Sequence, residues 1–438
     1  MAKVVLSTFG SLGDVHPFIA LGKALQDRNH EVILTAPAAY VDKVQAAGLR
    51  AVASFPSFKE VGLRLKCSDE EVVRKVMGST DFAIREFLLP NLNSSFEVLL
   101  RTADGASAIV GQFLALAAPI VAEKLRIPYL AAHLHPMSFL SATDPPTGPQ
   151  FRMLVPRPGT SLTRLWNRMW IAIMRSELRR RYAPHINPLR RAHGLPPLAR
   201  SPIFDVEQRS PLVLGLYSGA LGRPHADFPP NTHIVGFPLF DSECGRQQAA
   251  DTDLLQFMDA GPPPLIFTLG SLAIFAAGNF YSESLKAARM LGKRAILLTG
   301  VEKNEPIADE TVFVSRYAPH SAIFAKAAAV VHHGGVGTTG QALKAGVPQL
   351  VVPHFGDQWD NGARVERLGL GRTIGAKRYT AARAALLLDT LMSDPSVSNR
   401  GRRIAHDVST EDGARTGAAM IDACLENAIH NDSTGAVV

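Results

Sequence analysis

The residues best suited to chemistry lie between Tyr317 and Asn361, in the run YAPHSAIFAKAAAVVHHGGVGTTGQALKAGVPQLVVPHFGDQWDN. The apolar stretch from Ala327 to Val331 reads as a short buried strand, and His332 and His333 end it. Gly334, Gly335 and Gly337 then make a tight turn, and Thr338 opens a helix toward Leu343. A glycine-rich strand-to-helix turn lets backbone approach a phosphate and aims unpaired N–H groups at it, with the positive helix end adding attraction. That chemistry suits a diphosphate. Gly346, Val347 and Pro348 stop the helix, and Gln349 to Pro353 form the next strand. Asp357 and Gln358 follow its carboxyl end, where ligands bind in open α/β sheets.

A second group sits near the start, in FGSLGDVHPF from Phe9 to Phe18. The loop reads as a helix-capping segment, with Asp14 at or near the N-cap of the first helix and Pro17 in its first turn. The spacing is GxxG, and the second strand ends in Thr35, Ala36 and Pro37 without the acid a ribose needs, so this is no dinucleotide fingerprint. A carboxylate here can also take a proton from a hydroxyl nucleophile. His16 competes for that task because its unperturbed pKa lies nearer neutrality. His332 and His333 have no carboxylate or cysteine at metal-ligand spacing, and His332 is assigned to structure. Asp251-Thr252-Asp253 has the DxD spacing of a divalent-metal site, but it opens a helix-like stretch and reads as a cap.

At 438 residues the chain suits two domains, and 46% hydrophobic with 19% charged residues is the composition of a soluble globular protein. No run is long and apolar enough for a membrane span, and MAKVVLSTFG turns glycine-rich too soon for a signal peptide, so a cytoplasmic protein is expected. Cys67, Cys244 and Cys424 are too sparse for a disulfide framework or a zinc site. The net charge of +7 is concentrated between Arg175 and Arg191. That run reads as a solvated helix face ahead of a peripheral contact with the inner membrane surface. No aromatic-interleaved basic groove accompanies it, and nucleic acid is not expected as a partner.

These groups need elements to position them. KVVLST, HEVILTAP, Gly48 to Phe55, Ala108 to Phe113 and Ile127 to His133 read as strands, alternating with helices at Pro17 to Gln26 and Ala115 to Lys124. Strands separated by helices argue a parallel, doubly wound sheet. Ala142 to Arg200, rich in Pro, Arg and Trp, breaks the pattern as a helical insertion with loops. Periodicity fails from Asp241 to Asp251, the expected linker, and a second alternating series starts at PLIFTLGS. The expected layout is a domain at residues 1–240, a linker at 241–251, a domain at 252–413 and a terminal helix with tail at 414–438.

The ordered set Tyr-x-Pro, His-x-Gly-x-Gly-Thr, Gly-Val-Pro and Pro-x-x-x-Asp-Gln resembles the donor-binding box of the family 1, UDP-glycosyltransferase-like enzymes, in the bacterial form found in antibiotic, sterol and rhamnolipid glycosyltransferases. GSLGDVHPFIALGKAL, VGFPLFD and SFLSATDPP look closest to the rhamnosyltransferases of rhamnolipids. The resemblance implies a GT-B fold, α/β with two Rossmann-like domains facing across a cleft, and a last helix that returns to the N-terminal domain. It implies that Asp14, where the family usually has His, is the general base. His333 and Thr338 would hold the diphosphate with Gly335, Gly337 and Ser271, Tyr317 would stack on the base, and Gln341 would stand where a ribose-binding Glu is usual. Asp357 and Gln358 would bind the donor sugar. The implied reaction is inverting transfer of a hexose or deoxyhexose from a UDP- or dTDP-sugar to a hydroxyl of a lipophilic lipid, sterol, polyketide or flavonoid, without metal or cofactor. Rival readings are an epimerase or hydrolase of the same fold, separated by product analysis without acceptor, and a non-catalytic nucleotide-sugar-binding helper, removed by any turnover.

Overall fold

The computed structural model describes residues 1–242, 244–246, 251–300 and 310–433. Apolar runs too short for helices and rich in Val, Ile and Leu form two wholly parallel sheets. The first contains β1 (Lys3–Ser7), β2 (Glu31–Pro37), β3 (Arg50–Phe55), β4 (Ala108–Gln112), β5 (Tyr129–His133), β6 (Val213–Gly215) and β7 (Thr232–Ile234), in the order β3-β2-β1-β4-β5-β6-β7. The second contains β8 (Leu265–Thr268), β9 (Ala295–Leu298), β10 (Val312–Ser315), β11 (Ala329–His332), β12 (Gln349–Val351) and β13 (Gly371–Thr373), in the order β10-β9-β8-β11-β12-β13. Val4, Val5, Leu6, Ile266, Phe267, Val330 and Val331 are fully buried, as both faces of a helix-covered parallel sheet require.

The strand order reverses between β1 and β4 in the first sheet and between β8 and β11 in the second. Loops leaving neighbouring strands at such a point turn to opposite sides and leave a crevice at the carboxyl ends. The sequence motifs fall at these two places. Two compact units result: one of Met1–Val72, Ser79–Phe240 and Asp412–Val438, the other of Val73–Gly78 and Asp241–Glu411.

The terminal helix Gly413–Ser433 belongs to the first unit. A side chain at Gly413 would meet the Gly236 carbonyl oxygen at 2.2 Å, and one at Gly417 would meet Leu21 at 3.2 Å, so small residues let the helix lie close. Asp422 closes the contact by accepting from Arg28 at 2.5 Å and His30 at 3.1 Å. Of the expected linker, Glu243 and residues 247–250 lie outside the described residues.

Local corrections concern the ends of elements. Ser11 is the N-cap of the helix Leu12–Gln26, with Asp14 near it as the third helical residue, and Pro17 lies inside the helix, past its first turn rather than in it. The helix after β11 is Val336–Ala345 with Gly335 as N-cap, so Gly337 is helical and Thr338 is its third residue. Within HHGGVG, Gly334 alone has a positive φ, 90°, and carries the turn. The proline-rich insertion holds one 32-residue helix, Ser161–Ala192, capped by Thr160 and containing Pro184 and Pro188.

Candidate functional site

In the second unit, β8, β11 and β12 are adjacent and parallel, so the loops after Thr268, His332 and Val351 emerge side by side. His332 completes β11 and is fully buried. Its Nδ1 accepts from Gly334 N–H at 3.1 Å and its Nε2 faces Gln349 Oε1 at 3.0 Å. An imidazole that accepts at Nδ1 and donates at Nε2 is neutral, and burial lowers the His332 pKa to about 4. His332 therefore shapes the turn.

The His333 ring lies where two glycines leave room for it. A β-carbon on Gly270 would sit 2.6 Å from His333 Cε1, and one on Gly335 would sit 2.3 Å from His333 Nε2. Its Nδ1 is buried and has no hydrogen-bond partner among the described residues. Burial first, then the neighbouring His332, His354 and His320, push its pKa well below the ordinary value, so the ring is neutral near pH 7. An enclosed, neutral imidazole with an orphaned nitrogen is poised to bond an anion and to take up a proton beside it.

Backbone supplies the rest of the anion-holding chemistry. Gly335 caps the ten-residue helix without a side-chain bond, and the first internal bond of that helix runs from Thr339 N–H to Gly335 O. The preceding N–H groups of Val336, Gly337 and Thr338 are helix-terminal donors. Among the described residues, nothing approaches within 4 Å of a β-carbon position on Gly337, so a ligand can come close there. Thr338 and Gln341, three residues apart on one helix face, are each 8% exposed. Ser271 follows Gly270 in the loop that receives His333, and its side chain is part-buried.

Asp357 and Gln358 open the helix after β12, which runs Gln358–Arg367. Asp357 Oδ2 accepts from Asn361 Nδ2 at 2.6 Å, and the same amide donates to Gly334 O at 2.9 Å, which ties the carboxylate to the glycine turn. Gln358 is 2% exposed and its Oε1 accepts from His354 N–H at 2.7 Å and Phe355 N–H at 3.1 Å. Its oxygen holds its own loop, and only the amide nitrogen is left for a ligand. Tyr317 donates its hydroxyl to Asp241 Oδ1 at 2.9 Å, and Asp241 Oδ2 takes the Ser321 N–H at 2.7 Å, so the tyrosine ring is pinned at the end of β10.

In the first unit, the loop after β1 is braced from β4, where Gln112 Nε2 donates to Thr8 Oγ1 at 2.9 Å and to the Phe9 carbonyl. Asp14 is the third residue of its helix and closes a capping box: its Oδ2 accepts from Ser11 N–H at 2.7 Å and Ser11 Oγ at 3.2 Å. Gly10, with φ 133°, leaves the space for that carboxylate, since a β-carbon there would meet Oδ2 at 2.2 Å. Tyr40 lies near enough for the Asp14 charge to add to burial in raising its pKa to about 12. The His16 ring turns to Phe240, with centroids 5.4 Å apart. Capping thus fixes the carboxylate's orientation; it does not remove it from chemistry.

Asp251 caps the helix Thr252–Asp259 by accepting from Asp253 N–H at 2.9 Å, which accounts for the DxD pattern. Among the described residues, sequence reading passed over His320, His354, Asn361, Gly270, Gln112 and Tyr40. Asn361 had a local signal, its four-residue spacing from Asp357 at a helix start. The others join the site through the sheets.

Family models match at both ends of the chain: a glycosyltransferase family 28 N-terminal domain over residues 4–142, and an erythromycin biosynthesis protein CIII-like C-terminal domain over residues 301–416. The chain is 30% identical to the O-mycaminosyltylonolide 6-deoxyallosyltransferase of Streptomyces fradiae, over 97% of this chain and 98% of that protein. It is 29% identical to the vancomycin aglycone glucosyltransferase of Amycolatopsis orientalis, over 96% and 97% of the two chains. The calicheamicin glycosyltransferase CalG4 has the same fold, with a TM-score of 0.69 at 18% identity over 97% of this chain and 98% of that one. The chain belongs to the family 1 GT-B glycosyltransferases, enzymes that take their sugar from a nucleotide donor.

Proposed function

We propose that the protein transfers a hexose or deoxyhexose from a UDP- or dTDP-sugar to a hydroxyl of a lipophilic small molecule, with inversion at the anomeric carbon. The observation that carries this reading is the neutral His333, lodged between Gly270 and Gly335 beside an uncapped helix start. That arrangement suits a diphosphate leaving group, stabilised by helix N–H groups, by the imidazole and by the hydroxyls of Thr338 and Ser271. Gln341 serves the ribose, Tyr317 the base, and Asp357 with the Gln358 amide the sugar hydroxyls.

Asp14 takes the proton of the acceptor hydroxyl as that oxygen attacks the anomeric carbon from the side opposite the diphosphate. The capping box suits this role because it fixes the carboxylate before the acceptor arrives. A lipophilic acceptor is favoured by what relatives do: one glycosylates a tylonolide, another the vancomycin aglycone, and a sterol 3-beta-glucosyltransferase of Debaryomyces hansenii is 25% identical over 93% of this chain and 26% of that protein. Charge stabilisation by the helix start makes a divalent ion unnecessary, and the expected setting is cytoplasmic. The test is mass spectrometry of products from UDP- and dTDP-sugars offered with lipid, sterol, polyketide and flavonoid acceptors, with and without EDTA. A mass increase of one sugar on an acceptor, undiminished by chelation, is expected. Sugar release with every acceptor untouched contradicts transfer, and activity restored by magnesium contradicts the metal-free route.

A further inference from the structure

The basic run Arg175 to Arg191 is largely neutralised where it lies. Arg175 pairs with Asp205 at 3.2 Å, Arg180 with Glu177 at 2.8 Å, Arg181 with Asp81 at 3.2 Å and Arg190 with Glu123 at 2.9 Å. Arg179 and Arg191 pair with no carboxylate among the described residues, and a second unbalanced group lies upstream. Between Asp144 and Glu177 the sequence has five arginines and no acid. Of these, Arg152, Arg157 and Arg168 are exposed and pair with no carboxylate among the described residues.

These arginines flank an apolar face. Met153, Leu162, Leu165, Trp166, Met169 and Ile173 are between 43% and 74% exposed, and they are six of the eleven exposed large apolar side chains of the described residues. From Leu162 to Ile173 they follow the three- and four-residue spacing of one helix stripe. The opposite face is fixed: Ile171 packs with Met137, Leu140, Phe151 and Leu154. Asn167 is fully buried and bonds Val155 N–H at 2.8 Å and Ala142 O at 3.1 Å, so the helix cannot roll to hide its apolar side. Met153 joins the patch because Trp166 Nε1 donates to its carbonyl oxygen at 2.7 Å.

We propose that the first three turns of the helix Ser161–Ala192 dock the protein on a membrane surface rich in anionic phospholipid. A fixed apolar stripe with an interfacial tryptophan and unpaired arginines has the chemistry of a helix lying in the headgroup plane. The arginine rim selects the occupant. A second copy related by a two-fold axis would set the same positive rim against itself, whereas anionic headgroups complement it. A small acceptor needs a concave site, and this face is the outside of a helix.

The experiment is co-sedimentation of the full chain with vesicles of phosphatidylcholine alone or mixed with phosphatidylglycerol, together with light scattering without lipid. The wild type binds the mixed vesicles, binds phosphatidylcholine alone far less, and releases as salt rises. Arg152→Gln, Arg157→Gln and Arg168→Gln combined weaken binding about 100-fold. Leu165→Ser with Met169→Ser weakens it about tenfold or more, and unchanged circular dichroism shows each variant folded. Equal binding to both vesicle types, no binding by the wild type, or full binding by either folded variant overturns the proposal. So does a dimer that the Leu165→Ser, Met169→Ser variant turns into a monomer.

Discussion

The two units solve the same topological problem with different chemistry. Each places its working residues where strand order reverses, at β1 and β4 or at β8 and β11. In the first unit, side chains close the crevice: Gln112 braces the loop and a capping box holds a carboxylate. In the second, glycines and backbone close it, and its histidines are held neutral by burial. A fixed carboxylate is equipped to accept a proton. A helix start beside neutral imidazoles is equipped to hold an anion through its helix-terminal N–H groups. On the proposed reading, one fold principle yields a base in one unit and an anion holder in the other, and the difference lies in loop residues.

The sharpest break of this contrast is expected at Gly334. It has φ 90°, and a β-carbon there would meet Val351 Cγ1 at 2.7 Å and Gln358 O at 2.9 Å. Gly334→Val is expected to destabilise the second unit by about 3 kcal/mol or more, from backbone strain and overpacking together. Thermal unfolding checks this, and a midpoint equal to the wild type would mean that the turn is not fixed as described.

A smaller effect is expected at the histidines. His333→Ala should weaken UDP or dTDP binding about tenfold in calorimetry, the loss of one hydrogen bond to a charged group. His332→Ala should mainly lower stability, because it removes the acceptor of Gly334 N–H. The free His333 ring is neutral, and a bound diphosphate raises its pKa, so binding takes up a proton. Affinity should rise as pH falls from 8 toward 6 in the wild type and lose that slope in His333→Ala. An unchanged slope would place the titrating group elsewhere.

An effect of similar size concerns Gln358. Removing its side chain leaves two loop N–H groups without their acceptor, at about 1 to 3 kcal/mol. Gln358→Ala should also impair binding of the intact nucleotide sugar more than binding of the free nucleoside diphosphate. Equal losses in calorimetric titration would mean that the residue serves the loop alone.

Much of the local structure around the second unit's candidate site is legible because its signals are local. A strand, two histidines, glycines and a helix succeed one another in HHGGVGTT, and strand-end position follows from hydropathy. The division of labour between the glycines was not legible. Gly334 turns the chain, Gly335 makes room for an imidazole, and Gly337 stays open, distinctions that depend on neighbours distant in sequence. His354 carries no local signal because the pairing of β12 with β11 brings its loop toward His333, and His320 reaches His333 from the segment between β10 and β11. The place of Asp14 near the helix cap is legible, but which residue is the N-cap is not. Ser11 and Asp14 both suit a helix start, and only the box between them decides which is the cap. The ion pairs within the Arg175 to Arg191 run were not legible, because the partners Asp205, Asp81 and Glu123 lie far away in the chain.

The central claim is the separation of proton transfer in one unit from anion holding in the other, and Asp14→Asn tests it most directly. Asn keeps a side-chain oxygen for the Ser11 N–H and removes the basicity, so the loop stays and the base goes. Measured on an acceptor that the wild type glycosylates, the variant is expected to turn over about 100-fold more slowly or worse, with the affinity for UDP or dTDP unchanged. Turnover within a few-fold of the wild type in a folded variant would contradict the account and move the base to His16.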